Sequence, residues 1–201
     1  MMRKLLTLFC LILTLNVNAQ SSAQARKVLD KTAAIVGRQG GCSAHFSMNS
    51  GKGGAIAGTI AVKGRKFHVS TANAKIWYDG KTQWSYMKST EEVNVSTPTA
   101  TQQMQMNPYG FITMYKSGYN MSMKRNGKSY VVTLKAQKRA QAIQTLIITI
   151  GENYVPSKVR FCQGGTWTTV TLTRFQRKNQ SDAVFRFNKK QYPRAEIIDL
   201  R

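Results

Sequence analysis

Between Ile60 and Phe161, apolar and polar residues alternate with a period of two in run after run. Ile60 and Val62 point one way, and Ala61 and Lys63 the other; Phe67 and Val69 bracket His68. The same parity holds for Thr82, Trp84 and Tyr86, for Val93 and Val95, and for Tyr119, Met121 and Met123. It continues through Tyr130, Val132 and Leu134, then Leu146, Ile148 and Ile150, then Val159 and Phe161. Successive side chains of a strand face opposite sides of a sheet, so this pattern specifies half-buried antiparallel strands. Turn signals punctuate the runs at Asp79-Gly80, Asn126-Gly127, Gly151 and Gly164-Gly165. The spacing predicts roughly ten or eleven strands in a sandwich or barrel. At 201 residues the chain suits a single domain.

Two segments break the rhythm. Ala25, Val28, Leu29, Thr32, Ala33 and Val36 fall on one stripe at helical spacing, with Arg26, Lys27, Asp30 and Lys31 opposite. Ser21 and Gln24 form a capping-box pattern at its start, and Gly37 with Gly40-Gly41 ends it. Such an amphipathic helix packs on a sheet or lies on a membrane surface, and its single stripe favours packing. The second break is an uncharged loop, Thr97 to Met106, followed by Asn107-Pro108, which supplies an N-cap and a proline at the first helical position. Phe111, Ile112 and Tyr115 make its apolar stripe, Met114 lies beside them, and Gly118 terminates it.

The N-terminus has the layout of a secretory signal peptide. Arg3 and Lys4 precede an apolar run from Leu5 to Leu15, and small residues lead to a cut after Ala19. Export bears on the charge, because 30 Lys and Arg against 8 Asp and Glu give a net +22. Removing residues 1–19 takes away only Arg3 and Lys4, so the excess persists outside the cytoplasm. The anionic neighbours there are lipid headgroups, lipopolysaccharide or acidic protein patches rather than nucleic acid; the alternative is that the charge is simply a solvated surface. The exported chain keeps Cys42 and Cys162, which are either joined by a disulfide or two free thiols.

Eight acids and two histidines, His45 and His68, leave little for acid–base or metal chemistry. There is no phosphate loop, no His-Glu-x-x-His, no Cys-x-x-Cys and no Gly-x-Ser-x-Gly. Glu91 and Glu92 are adjacent in a strand and point to opposite faces. The expectation is a protein that is not an enzyme and needs no cofactor or metal. What needs a function is an apolar surface. Phe46, Ile60, Phe67, Trp77, Trp84 and Tyr86 are expected on the concave face of a curved sheet, where they either pack as a core or line a ligand cavity.

Several stretches carry a family likeness. Val28-Leu29-Asp30-Lys31 precedes Ala44-His45-Phe46, then Gly58-Thr59-Ile60-Ala61-Val62-Lys63 and the Phe67 strand. Tyr78-Asp79-Gly80-Lys81-Thr82-Gln83-Trp84-Ser85-Tyr86 follows, then Asn107-Pro108-Tyr109, a Phe185-Arg186-Phe187 strand, Tyr192-Pro193 and Ile197 to Arg201. In this order the chain resembles the LolA-like outer-membrane lipoprotein carrier proteins of the bacterial periplasm. The resemblance implies an α+β fold: a half-open antiparallel β-barrel of about 11 strands with a helical lid over a hydrophobic cavity. Residues 1–19 would be the signal peptide and 20–201 the carrier domain.

The resemblance further implies a monomeric periplasmic carrier that binds acylated lipoproteins. It would receive them from an inner-membrane lipoprotein-releasing transporter and pass them to an outer-membrane acceptor. The expected lipid-binding residues are Phe46, Ile60, Val62, Phe67, Trp77, Trp84, Tyr86, Met104, Met106, Phe111, Ile112, Met114, Tyr115, Ile148 and Phe161. The unbranched methionines suit an adaptable lining, or ordinary gap-filling. Family carriers gate the lid through an arginine near the second strand, and Arg65 is the nearest match. A lipid-sensing regulatory module of the same fold, acting on a membrane partner, is the alternative.

Overall fold

The computed structural model describes residues 21–51, 53–99, 102 and 108–201. Among these residues twelve strands form one sheet. They are β1 (Cys42–Ser50), β2 (Gly54–Lys63), β3 (Lys66–Thr71), β4 (Ala74–Tyr78), β5 (Gln83–Met87) and β6 (Glu92–Ser96), then β7 (Tyr119–Asn126), β8 (Ser129–Ala136), β9 (Ile143–Gly151), β10 (Pro156–Gln163), β11 (Thr166–Gln176) and β12 (Glu196–Asp199). Their spatial order is β12-β6-β5-β4-β3-β2-β1-β11-β10-β9-β8-β7. The sheet curls without closing, leaving β12 and β7 as edges.

This order explains the lid. The chain enters at the middle of the sheet with β1 and steps outward by hairpins to β6. The next strand, β7, lies at the opposite edge, so the connection must cross the whole width of the sheet. Helix α2 (Pro108–Thr113) and a 3₁₀ turn over Met114–Lys116 belong to that connection. Hairpins then lead back from β7 to β11, which pairs with β1.

Helix α1 runs through residues 21–36, and all six residues of the predicted stripe are buried. Ala25, Val28 and Leu29 pack with Val132, Leu134, Leu146, Ile148 and Ile150 of β8 and β9. Ala33 and Val36 pack with Cys42, Val62, Phe67 and Tyr78. The face beneath α1 is the inner face. Ser21 does not close a capping box. Its hydroxyl donates to the Met123 carbonyl at 3.3 Å and accepts from the Met123 N–H at 3.1 Å, fastening the helix to edge strand β7.

The strand count exceeds the expected ten or eleven because β12 adds a pairing that alternation in so short a run does not reveal. It lies parallel to β6, the one parallel pair among the described strands. The Phe185-Arg186-Phe187 strand is replaced by a 3₁₀ turn, Asp182–Phe185. Ser181 caps that turn by accepting from the Ala183 N–H, and Phe185 is wholly buried where the turn meets β3 and β4. Burying its ring on the sheet outweighs extending the backbone along it.

The apolar face changes sides partway across the sheet. Cys42, Val62, Phe67, Tyr78 and Gln83 are register partners in succession on the inner face, so Trp77 and Trp84, which pair with each other, face outward. Strand β4 is buried on both sides, through Trp77 and Tyr78. Beyond it, Trp84, Tyr86, Val93 and Val95 face outward and are covered by Phe187, Tyr192 and Ala195. The inner face there carries Gln83, Ser85, Asn94 and Ser96.

Candidate functional site: an apolar cavity under the lid

A cavity of about 270 Å³ lies between the helices and the middle of the inner face. Its floor is Phe46 and Met48 of β1, Ile60 and Val62 of β2, Val159 and Phe161 of β10, and Val170 and Leu172 of β11. Its roof is Val36 of α1 with Phe111 and Ile112 of α2. Phe111 stacks on Phe161 with ring centroids 5.0 Å apart, so a lid ring rests on a floor ring. Ser43 is the single hydroxyl among the lining residues, and none of them is charged.

A bulge brings one wall residue in. Ser43 pairs with Gln176 but His45 with Thr173, so β11 holds one extra residue there. Arg174 takes it up with φ of 50°, in the left-handed region that non-glycine residues seldom occupy. A bulge reverses strand parity. Phe175 consequently joins Leu172 in the cavity wall instead of facing solvent.

Of the residues expected to bind lipid, Phe46, Ile60, Val62, Phe111, Ile112 and Phe161 line this cavity. Phe67 is on the inner face but packs beside Tyr78, with centroids 5.3 Å apart, in the core under Val36. Ile148 and Tyr115 are buried under α1, and Met114 packs against the same core. Trp77, Trp84 and Tyr86 are corrections: they lie on the outer face, where Tyr192 sits 5.6 Å from Trp77 and 4.8 Å from Tyr86. Met104 and Met106 lie outside the described residues, as does the expected signal segment. Arg65 sits exposed in the turn between β2 and β3 and is not part of the lining.

The sequence reading missed Met48, Val159, Val170, Leu172 and Phe175. Val170 and Leu172 alternate with Thr169, Thr171 and Thr173, a period-two run in which threonine stands for the polar residue. Phe175 is out of phase with that run and could be found only by knowing the bulge.

Cys42 and Cys162 are free and not bonded to each other. Cys42 faces the cavity, whereas Cys162 alternates with inward Phe161 and points outward. Cys42 lies next to Ser43, the partner of Gln176, whereas Cys162 pairs with Trp167 at the other end of β11. At about 3.3 Å per residue, that places them roughly 30 Å apart, far beyond disulfide reach. Burial pushes the Cys42 thiol up to about 11, opposed by the charge of Arg38.

The lining can hold an apolar chain, and it offers no nucleophile–base pair. Among the described residues, no three His, Cys, Asp or Glu side chains gather where a metal ion could sit.

No curated protein matches the sequence. Among solved structures, the fold is similar to that of an uncharacterized conserved protein from Thermus thermophilus. The two share 13% identity with a TM-score of 0.59, over 88% of this chain and 99% of that one. A LolA superfamily protein from Nitrosomonas europaea matches at 14% identity and a TM-score of 0.44, over 81% of this chain and 97% of that one. The likeness of fold rests on the Thermus protein. The sequence profile of the outer membrane lipoprotein carrier protein LolA matches residues 15–165, most of the chain. With its open curled sheet, crossing lid and apolar cavity, the chain belongs to the LolA family of outer membrane lipoprotein carrier proteins.

Proposed function

We propose that this protein binds the acyl chains of lipoproteins in the cavity and carries them through the periplasm from inner to outer membrane, without covalent chemistry. The observation that carries this proposal is the cavity itself, about 270 Å³ of space lined by apolar side chains and roofed by a crossing segment. An acyl chain of about 15 methylenes loses on the order of 12 kcal/mol on transfer to water. A carrier must offset that cost and still release its load. An underfilled cavity with a separable roof meets both needs.

The volume adds a constraint. It exceeds the roughly 150 Å³ of an engineered cavity that binds benzene, but falls below the usual 300–1,000 Å³ of ligand pockets. In this reading, loading a whole acyl chain moves α2 away from β10 and parts Phe111 from Phe161. An inner-membrane transporter would supply cargo and an outer-membrane acceptor would take it, with Arg65 as a candidate contact for the lid. Residues 1–19 would be the cleaved export signal.

The test is native purification from the periplasm followed by lipid mass spectrometry, together with release of lipoprotein from inner-membrane vesicles. Bound acyl lipid and protein-dependent release are expected. Consistent absence of both would refute the proposal.

A further inference from the structure

A second depression, about 370 Å³, opens on the inner face near the β12 edge. Gln83, Ser96, Thr97, Pro98, Gln102, Leu200 and Arg201 line it. Gln83 pairs with Ser96 across β5 and β6, and Tyr78 is the partner of Gln83 on β4. The groove therefore continues the inner-face row that begins with cavity residues Cys42 and Val62. The packed Phe67–Tyr78 pair stands between the two sites. Three strand spacings separate Val62 from Gln83, about 14 Å.

Gln83 is only 8% exposed. Its Nε2 donates to Ser85 Oγ at 3.1 Å, but its Oε1 has no hydrogen-bond partner among the described residues. A buried acceptor of this kind calls for a donor. The neighbouring polar side chains are the Ser96 and Thr97 hydroxyls, the Gln102 amide, whose Oε1 accepts from the Thr99 N–H and hydroxyl, and Arg201, which is engaged by Asp199 through contacts of 2.5 and 2.9 Å. The groove thus suits a neutral donor rather than a phosphate. Thr97 and Pro98 begin the crossing segment that ends with Phe111 and Ile112 on the cavity, so one segment borders both sites.

We propose that this groove binds the polypeptide next to the acylated residue of the cargo, with Gln83 Oε1 accepting a main-chain N–H. This rests on the acyl-carrier function proposed above. The cavity would hold the lipid and the groove the adjoining peptide, so the protein would distinguish a lipoprotein from a free lipid.

The test compares the full chain with its Gln83→Leu variant, which keeps the side-chain bulk and removes the acceptor. Two probes are titrated: a synthetic diacylated lipopeptide of about six residues, and a fatty acid of the same chain length. The lipopeptide Kd is expected to rise roughly fivefold to tenfold in the variant, as for loss of one buried hydrogen bond. Fatty-acid affinity should stay within about twofold of wild type, the discrimination expected if the lost bond is made to peptide alone. Ser96→Ala with Thr97→Val serves as an independent second variant and should move in the same direction. Equal losses for both probes, or an unchanged lipopeptide Kd in both variants, would overturn the groove while leaving the cavity function standing. Failure of the wild type to bind either probe would overturn both.

Discussion

The hydroxyl of Tyr115, at the foot of the lid, donates to Asp30 Oδ1 on helix α1. The Arg26 guanidinium lies 5.7 Å from the centre of the same ring. Hydrogen bonds to charged groups stabilise by about 1.5–3 kcal/mol. Tyr115→Phe keeps the buried ring and deletes the bond. We expect a loss of about 1–2 kcal/mol in denaturant unfolding. If this bond also restrains the lid, uptake of a fluorescent fatty acid should be faster in the variant. An unchanged unfolding midpoint would remove the bond from any account of lid anchoring.

A charge in the cavity should abolish binding while sparing the fold's far side. Val62→Glu places a carboxylate among Phe46, Ile60 and Leu172, where it has no partner among the lining residues. An unpaired buried charge is far costlier than a buried neutral group. Displacement titrations should show loss of acyl binding by tenfold or more. Binding that survives unchanged would mean that the acyl chain lies elsewhere.

Phe161→Ala tests the contact between roof and floor. It removes the ring beneath Phe111 and enlarges the cavity. The site is half-buried, so the stability loss should fall at about 2 kcal/mol, below the 3–5 typical of a fully buried ring. Affinity for long acyl chains should fall less than stability does, because the added space accommodates part of the chain. Parallel unfolding and binding measurements separate the two effects.

Cys42 and His68 predict opposite pH responses. Burial holds the Cys42 thiol up at about 11 against an ordinary 9.0, so the native state keeps a proton that the unfolded chain releases. Its contribution is present below about pH 9 and is lost as pH rises toward 11. Cys42 should therefore resist iodoacetamide at pH 8, whereas Cys162 is alkylated without unfolding. Burial, then the nearby Lys75 charge, lowers the His68 pKa from its usual 6.5, and the ring stacks on Trp77 at 5.3 Å. Here the unfolded chain binds the proton first, so stability is present above pH 6.5 and falls as pH drops below it. His68→Phe should flatten that acidic slope in chemical unfolding. A slope unaffected by the substitution would assign it to other groups.

Strand positions, the stripe of α1 and the turn at Asp79-Gly80 were legible because each is written in local chemistry. Asp79 Oδ1 accepts from the Lys81 and Thr82 N–H groups, as the Asp-Gly pair suggests. Which side of the sheet a strand's apolar parity faces was not legible. Trp84 and Tyr86 alternate as regularly as Ile60 and Val62, yet they turn outward because residues 185–195 return to cover them. That covering comes a hundred residues later, and no local pattern records it. The floor of the cavity was half-legible for a similar reason: Phe46, Ile60 and Phe161 follow parity, whereas Phe175 depends on the bulge at Arg174.

The change of apolar side across β4 has a consequence for how the protein tolerates being empty. Trp84, Val93, Val95 and Tyr192 form a core with no share in the cavity. Poor packing in the cavity therefore weakens one part of the sheet only. The two parts can behave as separate cooperative units, with amides of β5 and β6 exchanging at one rate whether or not an acyl chain alone fills the cavity. The β1, β2 and β10 amides would slow when the cavity fills. A carrier that must stay folded when empty thus keeps a wing whose packing owes nothing to its ligand.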